Sequence, residues 1–240
     1  MTEILESLNL TKVKDFKGGV QQKIWKSSYD SINKLFGNGL TQGCVFQMYG
    51  FRGTGKTTLL LQMLEDFSNQ TETAYLTTEE TKEQIIAKCE RLNVKNVMVG
   101  KVTDLEEILE VIKHYKIVVL DSFQMISSTL NQKKIITQLV NTAKEYNCSL
   151  GIVCQLTKNG RDKGVSDVGH LCDQVIKLWS GVSEYFGMIG KAILLDSSKN
   201  RFGKTGIMVL ENGDNGYNFE NPWNEDLVDE IEKIAMKVER

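Results

Sequence analysis

Residues 50–57 read GFRGTGKT and fit the spacing G-x-x-x-x-G-K-[ST]. The chemistry this implies is the cradling of a polyphosphate, with ATP the expected ligand. Glycines at Gly50, Gly53 and Gly55 let backbone N–H groups turn inward around phosphate oxygens, with Phe51, Arg52 and Thr54 completing the loop. A helix is expected to start there, and its unpaired N–H groups and positive dipole end favour an anion. Lys56 is expected to reach the β- and γ-phosphates. Thr57 offers a hydroxyl to Mg2+, and Thr58 continues the cradle into the helix.

Such a loop works with acids. KIVVLDS, residues 116–122, ends an unbroken apolar run at Asp121, and a carboxylate there suits the metal's ligand shell. AYLTTEE, residues 74–80, ends another apolar run in Glu79 and Glu80. Glu79 is the expected catalytic base toward water and Glu80 its neighbour. The plainer reading of both is a helix N-terminus that favours acids. Gln155 closes GIVCQ at a further strand end, where it is placed to feel the γ-phosphate and pass the signal to the loop that follows.

The elements that must hold these residues alternate. CVFQMYG reads as a strand, KTTLLLQMLEDFSN as a helix, TAYLTTEE as a strand and KEQIIAKCERLN as a helix. NVMVG, DLEEILEVIKHY, KIVVLDS, KKIITQLVNTAKEY and CSLGIVCQ continue the pattern, with Thr103 or Asp104 as the expected cap of the third helix. After about residue 172 the runs DQVIKLW, MIGKAILLDSS and TGIMVLEN read as strands without helices between them. The expectation is an α/β fold: a mainly parallel central sheet flanked by helices, with an antiparallel C-terminal edge. Residues 1–20 read as an arm or linker, 21–221 as the core and 222–240 as an amphipathic C-terminal helix.

Composition excludes some classes. A net charge of −2 rules out a generally basic nucleic-acid binder, so any polyanion site must be local. The five cysteines are dispersed without a CxxC pair, which argues against structural zinc and fits buried thiols in a reducing, cytoplasmic setting. No apolar run reaches the ~20 residues of a membrane span, so no membrane partner is expected.

The chain resembles the bacterial RadA/Sms proteins, a branch of the RecA-like P-loop ATPases related to DnaB-type helicases and KaiC. The resemblance runs over roughly residues 22–224 and rests on KSSYDSINKLFGNGLTQG, GFRGTGKT, YLTTEETKEQI, VVLDSFQM, TKNGRDKGVSDVGHLCDQVIKL and KNRFG. KNRFG, residues 199–203, is the most distinctive of these; by composition alone it is a basic hairpin turn. The resemblance implies a ring or filament, with a hexameric ring expected. In it Lys199 and Arg201 would act across the subunit junction on a neighbour's γ-phosphate, and Glu79, the first carboxylate of its segment, would be the catalytic base. It also implies that loops 122–135 and 157–169 face the central channel, where the second would contact single-stranded DNA through Lys158, Arg161 and Lys163. The zinc module and Lon-like domain usual in that family have no counterpart in the sequence, and glutamine stands at 155 where the bacterial proteins typically carry histidine. The implied function is a DNA-stimulated ATPase motor in recombination, branch migration or repair, with a recombinase or helicase as possible partner. The alternatives are a KaiC-like regulatory ATPase and a helicase-loading mediator.

Overall fold

A computed structural model describes residues 22–126, 128, 130–156, 165–180 and 191–220. Short strands β1 (Ile24–Trp25) and β2 (Leu40–Thr41) pair antiparallel around helix α1 (Asp30–Leu35). There follow β3 (Val45–Phe51), α2 (Lys56–Ser68), β4 (Thr73–Thr77), α3 (Lys82–Arg91), β5 (Met98–Lys101), α4 (Leu105–His114), β6 (Ile117–Asp121), α5 (Gln132–Glu145) and β7 (Ser149–Leu156). Then come α6 (Val165–Leu171), β8 (Gln174–Ser180), β9 (Lys191–Asn200), β10 (Gly206–Gly213) and β11 (Gly216–Tyr217). The nine-stranded sheet runs β11-β10-β9-β8-β3-β7-β6-β4-β5. Its members from β8 to β5 are parallel, and β9, β10 and β11 add the antiparallel edge. This is the expected architecture.

The unbroken apolar strands are explained by burial on both faces. In β6, Ile117 and Val119 join the core beneath α1, α2 and α3, while Val118 and Leu120 join the one beneath α4, α5 and α6. Each of these side chains is at most 1% exposed, and burial of that extent contributes about 1.5–3 kcal/mol apiece. Local signals agree with the helix ends. Thr81 and Gln84 form a reciprocal capping box on α3, Asp104 accepts from Glu106 N–H on α4, and Asn131 accepts from Lys134 N–H on α5.

Two loop expectations need correction. Residues 165–169 belong to α6 rather than to a loop, because Val168 buries in the second core and pulls that segment onto the sheet. Residues 132–135 form the first turn of α5, capped by Asn131, rather than the end of a loop. Lys158, Arg161 and Lys163, the arm 1–20 and the terminal segment 222–240 lie outside the described residues. Among the described residues no helix is long and apolar enough to cross a membrane.

Candidate functional site

A cleft of about 500 Å³ opens at the C-terminal ends of the parallel strands. Residues 50–57 form one wall. Gly53 and Gly55 take positive φ of 83° and 87°, which glycine adopts without steric cost. A Cβ at Gly53 would meet nothing within 4 Å, so that side of the loop is open to a ligand. Gly50 is constrained differently: a Cβ there would lie 2.6 Å from the Leu178 carbonyl of β8. The Lys56 ammonium reaches back over the loop and donates to Gly50 O at 2.9 Å, Phe51 O at 2.8 Å and Thr54 Oγ1 at 3.3 Å. Burial lowers its pKa from 10.5 to about 8, against the attraction of Asp121 and Glu79. These three oxygens are weak partners for a buried cation, and a phosphate is a stronger one. Arg52 and Thr58 also line the cleft.

The acids converge from two strands. Thr57 Oγ1 donates to Asp121 Oδ2 at 2.8 Å, and the Tyr75 hydroxyl donates to the same oxygen. Burial raises the Asp121 pKa, while the hydrogen bonds from Tyr75 and Thr57 oppose the rise. Glu79 Oε1 accepts from Ser122 Oγ at 2.6 Å and from Gln155 Nε2 at 2.8 Å. Glu80 turns to Lys88 of α3 at 2.7 Å, so the adjacent acids have separate partners. The result is a loop that cradles anions, a hydroxyl and carboxylate side by side, and a second carboxylate held at the rim. That donor set fits a polyphosphate with a hard divalent cation.

Tyr75, Ser122, Gln84 and Lys88 belong to this neighbourhood and were not singled out from sequence. The only sequence signal among them is Gln84, which completes the T-x-x-Q capping box that orients α3 toward the cleft.

Lys199 and Arg201 are not brought to this cleft. Lys199 Nζ donates to the carbonyls of Gly169 at 3.0 Å, His170 at 3.2 Å and Cys172 at 2.7 Å, closing the C-terminal end of α6. Arg201 Nη1 meets Asp173 Oδ1 at 2.8 Å, and Asp173 Oδ2 accepts from Val45 N–H at the start of β3. The phosphate loop leaves the other end of the same strand. At ~3.3 Å per residue the two ends are about 20 Å apart. Gly203 packs on Gly37, where a Cβ would lie 2.5 Å from the Gly37 Cα, so the turn is seated against the loop after α1.

A family model described as an AAA domain matches residues 44–150. The DNA repair protein RadA of Aquifex aeolicus is 33% identical over 204 residues, which are 79% of this chain and 45% of that protein. RadA of Rickettsia felis is 34% identical over 197 residues, 75% of this chain and 43% of that protein. The chain thus spans less than half the length of these relatives. Among solved structures, the flagellar accessory protein FlaH of Methanocaldococcus jannaschii matches with a TM-score of 0.67 at 14% identity, covering 85% of this chain and 99% of that one. A KaiC-like protein of Pyrococcus horikoshii matches with a TM-score of 0.67 at 17% identity, covering 82% and 98%. At these identities the structural likeness establishes the fold.

Proposed function

We infer, from the premise that this chain is a RadA-like P-loop ATPase core, that it hydrolyses ATP at junctions between its own copies and acts on single-stranded DNA in recombination, branch migration or repair. The observation that carries the reading is the placement of Lys199 and Arg201 at the opposite end of β3 from the phosphate loop. They cannot serve their own chain's nucleotide. A neighbour stacked head to tail in a ring or filament would receive them, and their placement supports a homo-oligomer.

In the cis half, the loop's N–H groups and Lys56 bind the phosphates. Thr57 and Asp121 would hold Mg2+, which when bound neutralises charge on the β- and γ-phosphate oxygens. Glu79 accepts the proton of the attacking water, and Ser122 and Gln155 hold its carboxylate in place. Gln155 is the penultimate residue of β7, and Lys158, Arg161 and Lys163, the proposed DNA contacts, follow it within eight residues along the chain. In the trans half, a cation aimed at the γ-phosphate contributes ~10³–10⁵ in rate in comparable systems.

The test is ATP turnover with and without single-stranded DNA, on wild type and Arg201→Ala, with molecular mass measured alongside. Lys56→Ala should abolish turnover, and mixing it with wild type should poison activity beyond dilution. A monomer with full activity refutes the reading. The second reading, a regulatory ATPase acting through protein partners, draws on the KaiC-like fold. Turnover indifferent to DNA, with no DNA retention at low salt, would select it.

A further inference from the structure

We propose that Tyr75 is a positioning residue for the nucleotide's divalent cation: its phenol fixes the Asp121 carboxylate from within the core and so sets how tightly Mg2+ is held with ATP. The inference rests on the reading of Thr57 and Asp121 as the metal-holding pair.

Tyr75 lies in the middle of β4, beside Val119 of β6, and is 0% exposed. Its ring belongs to the apolar core under α2. Phenylalanine would bury the same ring there without a hydroxyl that must find a partner. The hydroxyl reaches along the sheet to Asp121 Oδ2, the oxygen that also accepts from Thr57 Oγ1 at 2.8 Å. One carboxylate oxygen is therefore held by donors from two elements of different character. Thr57 stands in the first turn of α2, directly behind the phosphate loop, where a ligand acts. Tyr75 is locked in the next-to-last strand of the sheet, flanked by β6 and the edge strand β5.

That asymmetry gives the phenol its role. Thr57 alone would let the carboxylate follow the loop as the loop accommodates phosphate. A second donor anchored in the core keeps Asp121 in one rotamer in the free and loaded protein alike. Ligands pre-oriented by such outer partners bind metals 10–100-fold more tightly than those left to swing, by the usual effect of removing the partner. The hydroxyl also favours the charged carboxylate, against burial that disfavours it.

The test compares wild type with Tyr75→Phe, which keeps the ring. Binding of a fluorescent N-methylanthraniloyl ATP is followed during Mg2+ titration and again in EDTA. The expected result is a rise of about tenfold in the Mg2+ concentration giving half-saturation, with affinity in EDTA unchanged. Replacement of Tyr75 by p-aminophenylalanine, which restores a donor at the same place, should return the half-saturation to within about threefold of wild type. Should Tyr75→Phe fail to fold, this variant carries the test, and a tenfold shift in it overturns the proposal. An unchanged Mg2+ requirement in Tyr75→Phe, or an equal loss of affinity with and without Mg2+, also overturns it. If wild type itself binds the nucleotide without regard to Mg2+, the metal-pair reading falls first and this one with it.

Discussion

Lys56 offers the sharpest test of the site's electrostatics. Lys56 is 7% exposed, and burial brings its pKa from 10.5 down to about 8. The sign follows from proton counting. Between pH 8 and 10.5 the unfolded chain keeps the proton on this lysine and the folded chain releases it, so raising the pH favours the fold. Below about 8 both states are charged and the full cost of burying the cation remains. Integrated from pH 7 to 9.5, Lys56 should add roughly 2 kcal/mol of stability. Urea unfolding of wild type and Lys56→Met across that range isolates the effect, because the other lysines, tyrosines and cysteines titrate in both. Wild type should gain on the variant by roughly 2 kcal/mol, or about 4–8 °C in Tm for a chain of this size. With saturating ATP the gain should vanish, since phosphate oxygens beside the ammonium hold its proton. A gap between the two proteins that stays flat from pH 7 to 9.5 would refute the reasoning.

Glu79→Gln should keep nucleotide affinity and lose ~10²–10⁴ in turnover, measured as ATP binding beside steady-state hydrolysis; equal losses in both would deny it the role of base. Arg201→Ala removes a half-exposed guanidinium from Asp173, whose side chain is 8% exposed but keeps the Val45 N–H and Lys144 at 3.4 Å, so its Tm should fall by about 2–8 °C. Its ATPase should nevertheless fall by ~10³, and a proportionate loss of stability and activity would mark Arg201 as merely structural. Gly37→Ala should lower Tm by about 5–15 °C: φ is +77° and the added Cβ would meet the Phe202 backbone at 2.6 Å. A normal Tm in that variant would mean that Gly203 does not seat the turn on the loop after α1.

What could be read from the sequence was whatever depends on neighbours along the chain. Apolar runs of β3, β6 and β7, the stripes of α2 and α5 and the glycine spacing of residues 50–57 are local, and each folds as its pattern requires. β1 and β2 escaped because two-residue strands carry no periodicity and pair only around α1. α6 was read as loop because VSDVGHL is short and glycine-bearing, and its helix is stabilised by Val168 in the core and by Lys199, 27 residues beyond Cys172. Tyr75 escaped for the same reason. In sequence it is one aromatic in an apolar strand, and the carboxylate its hydroxyl meets is 46 positions away.

The strand order, which no local pattern specifies, decides how the site is wired. β7 lies between β3 and β6 in the sheet although it is made after both. Its last residues therefore flank the phosphate-loop strand on one side and the Asp121 strand on the other. Gln155 pairs in register with Gly50 and still reaches Glu79, which leaves β4 on the far side of β6. Gln124, from the turn after β6, donates to the Gln155 carbonyl at 3.4 Å and closes the circuit. The position in the sheet is what brings Gln155 to both the phosphate-loop strand and Glu79.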